Sequence, residues 1–265
     1  MNSTVSISII KKMSLHFALF IELLKKELKT RYRDTLLGKL WFLLHPFMIA
    51  IALVLAKFFL MNQHEVGNVS LTNFYLLLVF WLFFVMSVQY SISSISIEHN
   101  LIPNFRFPLF FLPLAIVFSI FVTTLINIIF YFGFLFCLGK PLLGYIIGLI
   151  PVCLVALIFV STVSILFAFV QKFLPDLRLI APFFVRLGLV WLPIFYDLNL
   201  IPDEIKSFYK NIPFVWVILK SKEVFTESIS YSIAEPAYMI LYSTVLFFTA
   251  LMIVIGLEKY IVGNL

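Results

Sequence analysis

The chain has 265 residues, of which 63% are hydrophobic and only 12% carry a charge. Charged residues make up about a quarter of an average soluble domain, so this composition excludes an ordinary water-soluble protein and indicates one that resides in a bilayer. The net charge of +6 does not indicate nucleic-acid binding, because the cations stand beside apolar runs and fit loops that face an anionic lipid leaflet.

The first predicted element is an amphipathic helix over residues 14–40. Apolar residues recur at every fourth position from Phe20 to Leu40, the spacing of one slowly turning stripe of a helix. Lys25, Lys26 and Lys29 fall on the other side. This pattern is typical of a helix that lies in the membrane interface, and a simple positive-inside anchor for the first span fits it equally well.

Six stretches are apolar over roughly the twenty residues that a membrane-spanning helix needs. They cover approximately residues 41–60, 74–97, 109–138, 142–170, 179–196 and 237–257. We therefore predict an all-α integral membrane protein with six transmembrane helices, forming a single domain over residues 1–265. The first twenty residues contain no clean apolar core that ends in a cleavage site, so we expect the N-terminus to be retained.

The orientation of the spans follows from the placement of Lys and Arg, which concentrate on the cytoplasmic side of membrane proteins. Basic residues precede the first span and follow the second, fourth and sixth: Lys25, Lys26, Lys29, Arg31, Arg33, Lys39, Arg106, Lys172, Arg178 and Lys259. We therefore expect both termini in the cytoplasm. The segment from Asp197 to Pro236 then lies outside, and its apolar run "IPFVWVIL" predicts that it re-enters the membrane between spans five and six.

Several stretches resemble a known family in the right order along the chain. The entry to the first span reads "ELKTRYRDTLLGKLWFLLHPFMI", and later stretches read "NLIPNFRFPLFFLP", "LPDLRLIAPFFVRLGLVWLPIFY", "NIPFVWVILKSKEVF" and "VIGLEKYIVGNL". Together they resemble the ABC-2 type permeases that export cell-envelope polysaccharides such as O-antigen and teichoic acid. The resemblance covers most of residues 20–265 and implies a multi-pass protein of the bacterial cytoplasmic (inner) membrane.

The resemblance also implies that a separate ATP-binding subunit drives transport, with ATP and Mg²⁺ bound there and no cofactor in this chain. The sequence agrees, because it contains no phosphate-binding loop: Gly38 and Lys39 are followed by Leu40, and Arg33 stands where the first glycine of that motif belongs. A lipid-linked glycan needs a wide path, and six spans form only a compact bundle. We therefore expect two copies of the chain to pair as a homodimer within the membrane lipids.

By resemblance, the stretch after the second span is the segment that docks on the ATPase. Its candidate residues are Glu98, His99, Asn100, Leu101, Ile102 and Arg106. The stretch ends at Pro108 and is suited to a short helix on the membrane surface before span three. From the residues alone, an ordinary polar loop is the favoured interpretation, and the docking role rests on the resemblance.

Two further sets of residues are candidates for function. The amphipathic helix is interpreted as a gate, with candidate residues Leu24, Leu28, Arg31, Tyr32 and Arg33. The candidate channel-lining residues, which offer rings for sugar stacking or a cation for an anionic group, are Trp81, Tyr90, Tyr131, Arg186, Trp191 and Tyr196. Trp and Tyr are also enriched at membrane interfaces regardless of function. Arg186 is expected to face the bundle, a dimer seam or a wet path, or to pair with backbone carbonyls.

The sequence offers little for catalysis or metal binding. The four histidines show no metal-ligand spacing, no paired carboxylates converge in a span, and Cys137 and Cys153 lie inside apolar runs. The favoured function is therefore the permease subunit of an ABC exporter for a lipid-linked polysaccharide, and not an enzyme. An ATP-independent secondary transporter or channel and a membrane enzyme of envelope glycan assembly remain alternatives.

Overall fold

A computed structural model describes residues 2–31, 38–60, 71–97, 108–140, 142–194, 196, 198, 201–226 and 234–263. Within these ranges the regular structure is helical. The helices are α1 (Asn2–Thr30), α2 (Trp41–Leu60), α3 (Leu71–Ser91), α4 (Ser94–Ile97), α5 (Phe111–Cys137), α6 (Leu142–Phe173), α7 (Leu177–Trp191), α8 (Asp203–Lys210), α9 (Pro213–Thr226) and α10 (Ala234–Gly263). One 3₁₀ turn, Gly38–Leu40, leads directly into α2.

Four of the described helical stretches are long and apolar enough to cross a membrane. They are Phe74–Ile97, Phe111–Cys137, Leu142–Phe173 and Ala234–Glu258. They correspond to the predicted spans two, three, four and six. The prediction of a helical membrane protein is therefore confirmed, whereas the number of six spans and the orientation stay predictions.

The other two predicted spans are helical but differ in length. α2 covers 20 residues, with the same limits as the predicted first span. α7 has only 15 residues and ends at Trp191, short of the predicted limit at residue 196. Leu192 takes an extended conformation, with ψ of 143°, because the α conformation is disfavoured directly before a proline and Pro193 follows it.

The predicted amphipathic helix has different limits from those expected. α1 begins at Asn2 and ends at Thr30, whereas the sequence predicted residues 14–40. Arg31 forms a turn after α1, and residues 32–37 lie outside the described part of the chain. Helix propensity alone does not determine where a helix such as α1 ends, because tertiary contacts of its last turn can override it.

The main hydrophobic core surrounds α3. Buried residues make up 72% of its apolar window but only 17% of that of α10, which places α3 at the centre of the bundle and α10 at its edge. α3 packs against α2, α5, α6, α7 and α9, and the side chains of Leu76, Leu77, Leu78 and Phe80 are fully buried. A helix that is apolar on all sides is expected in such a central position.

A second hydrophobic cluster lies where α5 begins and where α4, α6 and α10 end, and we call this region the Leu109 end of the bundle. Its buried members include Ile95, Leu109, Leu112, Phe169 and Val254. The opposite region, where α9 and α10 begin, is called the Trp216 end. If the orientation predicted from the basic residues holds, the Leu109 end is cytoplasmic.

The turn between α5 and α6 depends on one glycine. Gly139 has a φ of 68°, a left-handed conformation that favours glycine. Its N–H donates to the Phe136 carbonyl across 3.0 Å, and the N–H of Lys140 donates to the Leu135 carbonyl across 3.1 Å. These two bonds satisfy the last carbonyls of α5 in a Schellman motif, and so the chain reverses within the "LGKP" stretch.

The apolar run predicted to re-enter the membrane lies inside the bundle. Phe214, Val215, Trp216, Val217 and Ile218 in α9 are all buried in the main core. The Phe214 ring lies 4.6 Å from that of Phe84 in α3 and 6.4 Å from that of Phe159 in α6, measured between centroids. Because Phe84 and Phe159 lie well inside their own helices, α9 reaches into the bundle from the Trp216 end.

Candidate functional site

α1 packs along the first half of α5 at the Leu109 end. The Phe20 ring lies between two α5 rings, with its centroid 5.7 Å from that of Phe111 and 5.6 Å from that of Phe118. Leu19 and Leu23 pack on the same cluster. The described part of α1 is thus held by side chains of the bundle in addition to any contact with lipid.

Arg31 anchors the end of α1 between α3 and α5. Its Nη2 donates to Ser119 Oγ across 3.0 Å, and its Cζ lies 5.1 Å from the centroid of the Tyr90 ring. Glu27 is 4.0 Å away on the previous turn. The side chain is only 11% exposed, and a buried guanidinium needs such partners, so Arg31 is fixed in place by charge, hydrogen bonding and a cation–π contact.

Beside this anchor is a small cavity of about 140 Å³ between α1, α3, α4 and α5. Its lining includes Leu23, Glu27, Tyr90, Ser94 and Leu112. Tyr90, a candidate channel-lining residue, therefore lies at the junction of α1 with the bundle. Its contact with Arg31 could not be predicted from the sequence.

The remaining gate candidates are only partly described. Leu24 and Leu28 are half-buried on α1, whereas Tyr32 and Arg33 lie outside the described residues. The whole candidate ATPase-docking set also lies outside them: Glu98, His99, Asn100, Leu101, Ile102 and Arg106. The structure does describe where that segment rejoins the bundle, at Pro108 and Leu109.

The junction at Leu109 is held by a residue that sequence reasoning missed. The backbone N–H of Leu109 donates to Glu258 Oε1 across 3.0 Å, and Glu258 comes from the far end of α10. Leu109 is 1% exposed. The sequence signal was the acidic residue in "VIGLEKYIVGNL", since a carboxylate beside a long apolar run needs a specific partner.

At the Trp216 end, Glu235 binds two residues of α9. Its Oε1 accepts a hydrogen bond of 2.9 Å from Trp216 Nε1, and its Oε2 lies 3.0 Å from Lys220 Nζ. Lys220 also lies 2.5 Å from Glu223 Oε2. Burial lowers the pKa of the Lys220 ammonium, but its bonds to both carboxylates outweigh this effect and raise the pKa above its ordinary value. Lys220 therefore stays charged at neutral pH and ties α9 to α10.

Three aromatic residues meet between α7 and α8. The hydroxyls of Tyr196 and Tyr209 are 3.0 Å apart, and each is within hydrogen-bond distance of the backbone carbonyl of Trp191, so the two phenol protons are shared among these three oxygens. Burial, with the hydrogen bond to Tyr196, raises the pKa of the Tyr209 hydroxyl well above its usual range, so it remains a donor. The Trp191 ring itself is 74% exposed. Trp191 and Tyr196, two of the lining candidates, are therefore brought together.

The other lining candidates separate into two groups. Trp81 and Tyr131 are buried in the main core, where the Tyr131 ring stacks on Tyr75 at a centroid distance of 6.2 Å. Arg186 instead lies on an exposed surface and donates from Nη2 to Gln89 Oε1 of α3 across 3.0 Å. Trp81 and Tyr131 therefore do not line a surface of the single bundle, whereas Arg186 lies on one.

The described residues contain no group of three or more His, Cys, Asp or Glu side chains arranged to hold a metal ion. The polar groups that do meet are pairs and triads that fasten one helix to another, as at Arg31, Glu235 and Glu258. The geometry is that of a helical bundle with fixed contacts at both ends.

Comparison with curated proteins shows which proteins the chain resembles in sequence. The O-antigen export system permease protein RfbA of Myxococcus xanthus is 29% identical over 202 residues, which are 75% of this chain and 75% of the relative. Two proteins of the same name from Klebsiella pneumoniae are 26% identical, one over 80% of this chain and 82% of its own length and the other over 92% and 91%. No protein-family model matches the chain.

The chain is similar to O-antigen export permeases. The resemblance to ABC-2 type export permeases predicted from the sequence motifs is thereby confirmed. These relatives and the four long apolar helices make the chain a multi-pass membrane protein. In this permease-like chain, the contacts of Arg31, Glu235 and Glu258 join separate helices at the two ends of the bundle.

Proposed function

We propose that this chain is the membrane permease subunit of an ABC exporter that moves a lipid-linked polysaccharide, of O-antigen or teichoic-acid type, outward across the bacterial cytoplasmic membrane. The observation that carries the proposal is the match to O-antigen export permeases over 75–92% of the chain. The similarity therefore extends over most of the chain and over most of each relative.

The energy for transport comes, in this proposal, from a separate ATP-binding subunit that holds ATP and Mg²⁺. The segment containing Glu98, His99 and Asn100 docks on that subunit. It precedes Leu109, which is buried in the second cluster and bonded to α10. A force applied to the segment therefore enters the bundle at a rigid point.

The transport path forms between two copies of the chain. The main core of one bundle is filled by side chains, among them Trp81 and Tyr131. Arg186 and Trp191 are on the outer surface of α7, and a cation exposed to hydrocarbon is costly. A homodimer whose seam contains this surface would give Arg186 a polar surrounding and an anionic group of the cargo to bind.

The test is to reconstitute the purified chain with its ATP-binding partner subunit and to measure export of the lipid-linked glycan with and without ATP. We expect export only with both. ATP-independent export would identify a secondary transporter or channel, and chemical conversion of the glycan would identify an enzyme. Either result overturns the proposal.

The docking segment is tested in the same preparation. Glu98→Lys combined with His99→Ala and Asn100→Ala should abolish export and co-purification of the ATPase while the chain still inserts. Glu204→Lys, a charge reversal on exposed α8, is the matched control and should export normally. Normal export by the triple variant would mean that the segment does not dock the ATPase.

A further inference from the structure

We propose that α10 is a rigid link that carries movement from the ATPase side of the chain to α9, and that Glu258 and Glu235 are the positioning residues that fasten its two ends. The inference rests on the proposed function, since it concerns how the ATP-driven movement reaches the helix that enters the bundle from the opposite end.

The first fastening is between Glu258 and the start of α5. Leu109 N–H donates to the Glu258 carboxylate across 3.0 Å. The N-cap of α5, Phe110, provides no side-chain hydrogen bond, so the first turn of α5 depends on other acceptors. A carboxylate beside a helix N-terminus is also stabilised by the helix dipole. The N–H groups of Phe111 and Leu112 in that first turn donate to the Pro108 and Leu109 carbonyls. Glu258 adds, from a different helix, an acceptor for the Leu109 N–H just before α5 and a negative charge beside its N-terminus.

Packing holds the Glu258 backbone in position. Val254, one turn earlier on the same face of α10, is fully buried in the second cluster with Leu109, Leu112 and Phe169. The hydrogen bond and this apolar contact act on the same junction. A displacement of Leu109 is therefore transmitted to the end of α10.

The second fastening is at the beginning of α10. Glu235 accepts from Trp216 Nε1 and pairs with Lys220, so its two oxygens bind α9 at positions one turn apart. Trp216 is 3% exposed, and Met239, one turn after Glu235, is buried in the main core. The Glu235 side chain is 44% exposed and that of Lys220 is 12% exposed, and charge-assisted hydrogen bonds of this kind are stronger than neutral ones.

Between the two glutamates α10 is one uninterrupted helix. It runs from Ala234 to Gly263, and Pro236 lies in its first turn, where a proline is tolerated. At 1.5 Å per residue, the glutamates are about 35 Å apart along the axis. α10 packs mainly on α6, and few of the residues in its apolar stretch are buried, so it lies at the edge of the bundle with most of its surface outside the core. α10 therefore connects the Leu109 junction at one end of the bundle with α9 at the other end.

The experiment uses the permease–ATPase complex in proteoliposomes and compares Glu258→Ala, Glu258→Gln and Glu235→Ala. Glutamine still offers an oxygen to Leu109 N–H, so it should retain most export. Loss of a hydrogen bond to a charged group corresponds to roughly tenfold or more in an equilibrium, and we expect each Ala variant to lower export per ATP hydrolysed by about this factor. Glu204→Ala, which removes an exposed carboxylate of α8, is the control and should behave as wild type.

The double variant Glu258→Ala/Glu235→Ala shows whether the two contacts act through one link or have independent local effects. If both residues fasten one element, the second substitution adds little to the loss caused by the first, whereas independent effects multiply. Export reduced by the product of the single factors would overturn the proposal, as would wild-type export per ATP in either Ala variant. Should Glu258→Ala fail to fold, Glu258→Asp keeps the charge but shortens the reach, and it should show the same loss.

Amide exchange provides a readout that does not need transport. In the purified chain, Glu258→Ala should increase exchange in peptides that cover residues 108–112, and Glu258→Gln should increase it less. Unchanged protection in Glu258→Ala would overturn the first fastening. A wild-type chain that neither binds the ATPase nor exports would instead refute the proposed function, while the exchange result would still test the contact.

Discussion

Arg31 and Ser119 join α1 to the first half of α5, with Nη2 donating to Oγ across 3.0 Å. The Ser119 hydroxyl donates in turn to the Ile116 carbonyl across 2.8 Å, which fixes the direction of its acceptor lone pair. The helix interpreted as a gate is therefore fastened to the bundle at its C-terminal end. Opening of α1 away from α5 requires this contact to break.

Replacement of Arg31 by Ala should loosen the end of α1. The loss removes a hydrogen bond from a charged group, and we expect the free energy of unfolding to fall by about 1.5–3 kcal/mol. The measurement is chemical unfolding of the purified protein in detergent micelles. Lys25→Ala is the control, because Lys25 forms only an exposed ion pair with Glu22, and such pairs contribute little. Equal stability of the two variants would mean that the Arg31 contact does not hold α1.

The interpretation of α1 as a gate is tested at Leu28. Leu28→Asp places a charge on the half-buried side of α1, and we expect export to fall sharply while membrane insertion stays normal. Lys29→Ser changes the exposed side of the same turn and should leave export unchanged. Both variants are compared by export rate and by the amount of protein in the membrane. Normal export by Leu28→Asp would leave α1 as an anchor alone.

The insertion of α9 into the bundle predicts a large difference between two phenylalanines. Phe214 is 3% exposed and Phe208, in α8, is 73% exposed. Phe214→Ala should lower the free energy of unfolding by about 3–5 kcal/mol, whereas Phe208→Ala should stay within about 0.5 kcal/mol of wild type. Unfolding in detergent provides both values. A small effect at Phe214 would show that α9 does not contribute to the core.

The orientation of the chain is tested with reporter fusions. Because the basic loops are expected to stay in the cytoplasm, fusions before Leu15 and after Leu265 should report a cytoplasmic position, and fusions at Asn68 and Ser207 an external one. The readout is the activity of a paired reporter that works on one side of the membrane only. A cytoplasmic signal at Asn68 would refute the six-span arrangement.

The long helices could be predicted because apolar runs of sufficient length have few other solutions in a bilayer. The limits of α2 were predicted exactly as the structure has them, since basic residues precede its apolar run and polar ones follow it. The placement of Trp81 and Tyr131 in the core could not be predicted. A helix that is apolar on all sides carries no pattern to show which face meets a neighbour.

The contacts at the two ends of the bundle could also not be predicted from the sequence. Leu109 and Glu258 are 149 residues apart in the sequence, and no local pattern around either residue indicates that the other is its partner. The same holds for the partners of Arg31, which was predicted as a gate residue from its basic surroundings alone. Charge placement predicts the side of the membrane, but the partner of a charge depends on how the helices pack.

The shortness of α7 has a consequence for the lipid around it. Fifteen residues rise only about 22 Å, whereas the hydrocarbon core of a bilayer is about 30 Å thick. If α7 crosses the bilayer, as the sequence predicts, local thinning can relieve a hydrophobic mismatch of this size and would draw phosphates inward beside the helix. Arg186 is about 8 Å along the axis from the Trp191 end, so its guanidinium would then lie within reach of the headgroup layer. A lipid carrier moving along this surface would meet a shortened hydrocarbon barrier with a cation already at its edge.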